Sequence, residues 1–208
     1  MFAYVKDGSI VSMPRGNVGI NIGDLQYSAD IFTAKWTESE RNAIGVYTIE
    51  VDDTNRKDEE YYLNTDITYA YDSSADKVKG TYGSATAKPL DDVKWTQSEI
   101  DAGEAPAGAD TNTVKVEGLK TILIRQVKKD AEGILNKTDW YVTRKSEKST
   151  AIPSAITTHR DAVRTKQASM ETAITNAADT PALATLYTYT EQEDGSITRP
   201  LGELPTLE

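Results

Sequence analysis

Acid–base chemistry in this chain would begin at His159, the only histidine in a sequence that has no cysteine. Ser/His/Asp catalysis needs such a group, yet no G-x-S-x-G run places a nucleophile on a strand-to-helix turn. His159 falls three residues after Ile156 and four before Val163. That spacing puts it on an apolar helical stripe, where a partly buried histidine packed near Trp140 or Tyr141 is the competing reading. The missing thiols exclude disulfides, thiolate nucleophiles and Cys-ligated metal centres, and one histidine excludes a multi-histidine site within one chain. Acids cluster at Asp52-Asp53 and Asp58-Glu59-Glu60. They miss the calcium-loop pattern, because Lys57 separates Arg56 from Asp58 and no glycine permits the sharp turn, so the run reads as a solvated loop. Among 33 acids nothing singles out a glycosidase pair. No P-loop is present, and Gly16, Gly19 and Gly23 lack a following amphipathic helix. Asn136-Lys137-Thr138 fits the N-glycosylation pattern, which reads as accidental without a secretion signal.

The 208 residues suffice for one large or two small domains. A net charge of −10 disfavours a nucleic-acid or anionic-membrane binder, and 38% hydrophobic residues is lean for a single core. A thin chain, or one completed by partners, is expected. The opening run lacks a basic n-region and apolar stretch, and no window approaches 18 apolar residues. A soluble chain made in a cytoplasm is the expectation. Charge is uneven: residues 1–116 carry 11 basic and 20 acidic side chains, residues 117–178 carry 11 and 7, and residues 179–208 carry 1 and 6. A basic middle (+4) between acidic flanks (−9 and −5) could dock within the chain or onto acidic neighbours.

The first part reads as strands. FAYVK and SIVSM flank Asp7-Gly8, the usual demand of a two-residue hairpin turn. GVYTIEV (45–51) is a third strand and EEYYLN (59–64) a possible fourth. ITYAY (67–71) and KVKGTYG (77–83) make a second hairpin around the turn-rich residues 72–76. KWTESE (35–40) and KWTQSE (94–99) are near-copies, each with a Thr N-cap, Glu at N3 and Trp at N′, so Trp36 and Trp95 are expected to staple two short helical turns. DGSIVSMPRG (7–16) is echoed by DGSITRPLG (194–202), read as another Asp-Gly hairpin. Residues 101–113, rich in Ala, Gly, Asp and Thr, are the linker candidate.

From Glu117 the apolar period becomes helical: Leu119, Ile122, Leu123, Val127, Ala131, Ile134 and Leu135 share a face. Residues 136–141 break the pattern, and a polar connection leads to Pro153, suited to a first helical position. Ile156, Val163, Met170, Ile174 and Ala177 mark a second long helix. The two form an antiparallel hairpin whose open side should meet another chain or the first domain. Thr180-Pro181 then caps a short turn containing Leu183, Leu186 and Tyr187. The Lys and Arg of 120–148 are interleaved with only Trp140 and Tyr141, thin for a nucleic-acid platform.

R-Q-V-K-K-D-A-E-G-I-L-N-K-T-D-W-Y (125–141), followed by P-S-A-I-T-T-H-R-D-A-V-R (153–164), resembles the tail-assembly-chaperone-like family of tailed phages. Its members carry a helix ending in L-x-x-[TS]-D-W, a short Pro-containing loop and a helix with R-x-x-[LIV]-R. The matching positions are Leu135, Thr138, Asp139, Trp140, Pro153, Arg160, Val163 and Arg164. The opening FAYVKDGSIVSMP and the strand GVYTIEV are similar as well, so the likeness covers about two-thirds of the chain in pieces. Typical members are shorter, lack the second KWTQSE and end soon after the second helix.

An α+β fold is therefore expected. A β-rich module with short capped helices (1–92) precedes a capped turn and linker (93–116), an antiparallel helical hairpin (117–178), and a C-terminal turn and β-hairpin tail (179–208). The resemblance implies a non-enzymatic virion structural protein of the tail or tail-fibre apparatus, or a tail-fibre assembly chaperone absent from the mature particle. Its partners would be other tail or tail-fibre proteins, with several copies in an assembly, and neither nucleic acid nor membrane. No cofactor is expected, and the location would be the virion tail after synthesis in the host cytoplasm. The candidate partner-binding residues are Asp139, Trp140, Tyr141, Arg160 and Arg164, with Asp139 a helix-loop cap paired to Arg160 or Arg164 and Trp140 a hot-spot anchor.

Overall fold

Asp7 and Gly8 both take positive φ (51° and 75°), the type I′ geometry that suits the twist of two flanking strands. In the computed structural model, which describes residues 1–207, that turn joins β1 (Phe2–Lys6) to β2 (Ser9–Ser12). The chain is mixed α+β and divides into two compact units, Met1–Thr86 and Ala87–Glu208.

Unit 1 continues with β3 (Ile20–Ile22), β4 (Leu25–Tyr27), a 3-10 turn (Ala29–Phe32) and α1 (Glu38–Ala43). Next come β5 (Val46–Asp52), β6 (Tyr62–Leu63), β7 (Ile67–Asp72), β8 (Lys77–Tyr82) and β9 (Thr86–Ala87), within which the division falls. A five-stranded sheet has the order β2-β1-β5-β8-β7. β5 runs antiparallel to β1, with Ala3 opposite Tyr47, and parallel to β8, with Ile49 opposite Val78. Alternation puts Ala3, Val5, Tyr47, Ile49 and Val78 on one buried face, with Ile10, Tyr69 and Tyr71 packed against them. The other face of β1 lays Phe2 on Phe32, ring centres 4.8 Å apart. Both expected hairpins and the third strand are present. The fourth shrinks to Tyr62–Leu63, and the small β3–β4 hairpin was not foreseen.

The acids of the 52–60 loop serve turns. Asp52 accepts from the Thr54 amide at 2.9 Å, Asp58 from the Glu60 amide at 2.9 Å, and Glu59 pairs with Arg56 at 3.1 Å.

Unit 2 contains β10 (Val93–Lys94), α2 (Gln97–Asp101), β11 (Val114–Val116), α3 (Leu119–Asn136), α4 (Asp139–Lys148), α5 (Ser154–Asn176), α6 (Thr180–Tyr187), β12 (Thr190–Glu191) and β13 (Ile197–Thr198). Residues 101–113, expected as a linker, instead close the antiparallel β10–β11 pair inside this unit. The Asp110 carboxylate accepts from the Asn112 and Thr113 amides, both at 2.9 Å, and thereby folds the loop onto itself.

Both capping boxes are formed. Thr37 and Glu40 exchange hydrogen bonds at the start of α1, as Thr96 and Glu99 do at α2. Trp36 acts differently from expectation. At α1 the N4 position is Arg41, which cannot complete an apolar staple and donates to the Trp36 carbonyl at 2.7 Å; the Trp36 ring meets the edge of Tyr27. Over Trp95 sits the Lys115 ammonium, 4.5 Å from the ring centre. Lys115 also pairs with Glu99, whose carboxyl it and the cap bonds hold down to about 2.

α3 and α5 pack antiparallel, since Arg160 reaches Leu135 while Lys128 pairs with Glu171. Leu119, Leu123, Val127 and Ala131 form the buried seam of α3, and Ile122, at 40% exposure, lies outside it. All five expected apolar positions, Ile156, Val163, Met170, Ile174 and Ala177, are buried. The open side is partly covered by the chain itself. Leu183 of α6 and Leu201 are buried, with Lys166 donating to the Leu201 carbonyl at 2.8 Å. Leu183 lies on the expected short turn, whereas Leu201, beyond the C-terminal hairpin, gives no periodic signal.

Two caps shift by one position: Pro153 is the N-cap of α5, and Asp179 caps α6 by accepting from the Ala182 amide at 2.7 Å, which extends the expected turn to eight residues. The C-terminal hairpin forms without a two-residue Asp-Gly turn. Only Gly195 takes positive φ, and the Gln192 amide and carbonyl both bond across the loop, giving a longer turn ending in glycine.

Tyr69 stands opposite Gly80, where a Cβ would lie 2.9 Å from both Tyr69 Cε1 and Ile67 Cδ1. Gly80→Val should overpack this face and lower the stability of unit 1 by about 1–3 kcal/mol, read as a lower urea midpoint. Near the same edge Tyr47 and Tyr71 each donate to Asp76 Oδ1 at 2.7 Å. Their bonds lower the Asp76 carboxyl, while burial and these bonds raise the Tyr47 hydroxyl. A lowered folded-state value stabilises fully above the unfolded value near pH 4 and is lost as pH falls through the folded value. Near-UV tyrosine dichroism should therefore weaken on acidification below about pH 4, and Asp76→Asn should lose that part of the transition.

Candidate partner-binding corner

Where α3 ends, four carbonyls have no helical partner, and this chain meets that need from α5. Arg160, buried to 8% exposure on α5, donates through Nη1 to the Leu135 carbonyl at 2.8 Å and to Thr138 Oγ1 at 2.7 Å. Thr138 is also buried, and its hydroxyl donates to the Leu135 carbonyl at 2.9 Å. The second guanidinium nitrogen of Arg160 meets Asp139 Oδ1 at 2.8 Å. One cation thus holds the last turn of α3, the connecting threonine and the first turn of α4.

The polar connection expected over 142–151 is largely helix. α4 runs Asp139–Lys148 and buries none of its residues, so no apolar period announces it. Its charges explain it: Asp139 at the N-terminus and Lys145 and Lys148 in the last turn complement the helix dipole. Ser149 then ends it in the left-handed region, φ 52°. Asp139 is accordingly the first residue of a helix rather than a cap on a loop. Thr138 precedes it and makes no side-chain capping bond.

Of the five candidates, the structure brings four to this corner. Asp139 pairs with Arg160, and Trp140 and Tyr141 follow on α4, ring centres 3.8 Å apart. Arg164 is not among them; it lies exposed one turn along α5, paired with Asp161 at 3.3 Å. Arg144 belongs to the group and was not foreseen. Its guanidinium lies 4.7 Å from the Trp140 ring centre and 5.1 Å from that of Tyr141, an arrangement that fixes both rings through cation–π attraction. The i+4 and i+3 spacing would have revealed it, had 139–148 been read as a helix. Trp140 remains 52% exposed. A large aromatic surface is held rigid and left facing solvent.

His159 is buried on α5. With Ile134, Lys137, Thr138, Thr206 and Leu207 it lines a cavity of ≈ 130 Å³. Among the described residues no three His, Asp or Glu side chains converge as a metal site, and no helix is long and apolar enough to cross a membrane.

Asp139→Ala should strip the buried Arg160 of its counter-charge. Because water reaches the half-exposed carboxylate, the expected loss is about 1–2 kcal/mol, below that of a fully buried pair. Arg164→Ala should change stability by less than about 0.5 kcal/mol, and equal losses in urea titrations of the two variants would contradict this division of roles. Compared with known protein families, characterised proteins and solved structures, the chain has no match.

Proposed function

We propose that this chain is a non-enzymatic structural protein of a phage virion, working in the tail or tail-fibre apparatus through protein–protein contacts. The supporting observation is the Trp140 corner. Tryptophan, tyrosine and arginine are the residue types that concentrate binding energy at interfaces, and here they form one rigid, exposed group on a braced helix end. Holding the rings in place before contact reduces the ordering cost of association. The residues behind the corner, Leu135, Thr138, Asp139 and Arg160, are among those that carry the likeness to the tail-assembly family. In this reading they build the platform, and Trp140 and Tyr141 make the contact. The partners are other tail or tail-fibre proteins, and the chain is made in the host cytoplasm before joining the particle.

Mass spectrometry of purified particles should find the chain. Trp140→Ala should leave it folded yet weaken its capture by tail proteins about thirtyfold, the size of a hot-spot loss of about 2 kcal/mol. Absence from mature particles, with rescue of fibre solubility on co-expression, would instead assign it to the chaperones that leave after assembly.

A further inference from the structure

The outward stripe of α4 has a direction. Stepping by three or four residues, it runs from Trp140 and Tyr141 through Arg144 to Lys148, with Lys145 alongside. Trp140 supplies exposed apolar surface at one end. At the other, Lys145 and Lys148 have no ion pair among the described residues. From position 140 to 148 the helix rises about 12 Å.

The β12–β13 hairpin carries the complementary pattern. Glu191 stands opposite Ile197, and alternation puts Tyr189 on the same face. Ile197 is 68% exposed and Tyr189 54%, so the stem presents apolar surface to water. The tip is acidic: Glu191, Glu193 and Asp194 have no ion pair among the described residues, and Asp194 accepts from Ser196, whose amide lies 2.9 Å away. β12 ends at Glu191, and Glu193 and Asp194 lie in the turn beyond it. An apolar stem with an acidic tip therefore complements an apolar-to-basic helix stripe in sign.

We propose that the β12–β13 hairpin of one copy seats on α4 of a second copy of this chain. Ile197 and Tyr189 lie against Trp140, while Glu191, Glu193 and Asp194 face Lys145 and Lys148. This deepens the reading of the Trp140 corner as a docking surface and rests on it. A second copy is the fitting occupant because each chain carries both halves of the pair, and neither set of charges is neutralised within its own chain. The contact uses two different patches, so it is heterologous and propagates into a ring or an open row of copies. Overall repulsion between two chains of −10 does not prevent it: at about 0.15 M salt the screening length is about 8 Å, and local complementarity decides. A hairpin on one helix covers less than the roughly 800 Å² per partner of a standard interface. Each single contact is therefore weak, and repetition strengthens the row.

Sedimentation velocity of the full chain at about 0.15 M and about 1 M salt tests this. Species heavier than the monomer should grow with concentration at the lower salt and recede at the higher. The double variant Glu191→Lys/Glu193→Lys should be monomeric, as should Lys145→Glu/Lys148→Glu, both keeping the parent's circular dichroism. Mixing the two restores opposite charges at each contact and should restore assembly. A chain that stays monomeric at every concentration, or assembly that survives both charge reversals, overturns the proposal. The docking reading is judged separately, by the effect of Trp140→Ala on capture of tail proteins, and it stands if that effect is seen while the chain remains monomeric.

Discussion

Arg160 is a guanidinium with little water around it, and unit 2 is arranged to satisfy its hydrogen-bonding needs. A charge so placed is tolerated only when paired and hydrogen-bonded. Its partners come from three successive pieces of chain: the Leu135 carbonyl, the Thr138 hydroxyl and the Asp139 carboxylate. Meeting that requirement sets where α3 stops, how tightly the chain turns and where α4 begins. An apolar residue at 160 could fill space but could not read a carbonyl and a carboxylate at once. The corner owes its definition to directional bonds, and the aromatic pair on α4 inherits that definition through a helix that buries nothing of its own.

Local chemistry was legible where it was self-contained. The Asp7-Gly8 hairpin, both capping boxes and the alternation of 67–82 need only neighbours in sequence, and each formed. The amphipathic stripes of α3 and α5 were legible for a related reason, because burial imposes a period on the letters. α4 was hidden because a helix without a buried face has no such period; its signals were a charge gradient and the i+4 relation of Trp140 to Arg144. Trp36 of the first KWTxSE motif misled because a cap is specified by two residues, whereas a staple also depends on the N4 position, which is Arg41 there and the apolar Ile100 in the second copy.

Pairings distant in sequence were the least legible. Nothing in GVYTIEV indicates that its second neighbour will run parallel, and nothing in 101–113 shows that its ends return to one ladder. Charge occupied a middle ground. The partition into acidic, basic and acidic segments was visible by counting, but which charges remain unneutralised emerged only from the ion pairs. Of the candidate site, the residues T-D-W and the first arginine of R-x-x-V-R were correctly grouped. The second arginine, one turn along the helix, points to solvent chemistry of its own.

The parallel pairing of β5 with β8 bears on how the chain is made. β5 lies at the middle of its sheet, yet it can be flanked on both sides only after residue 82 exists, some thirty positions after the strand itself ends. The hairpins around it close in microseconds, so unit 1 waits on one non-local step of the kind that slows folding. Until then β5 offers an unpaired edge of alternating Val, Tyr and Ile to any neighbouring strand. In an assembly built from many copies made side by side, the interval between the synthesis of Asp52 and that of Tyr82 is when a nascent chain is most open to pairing with the wrong copy.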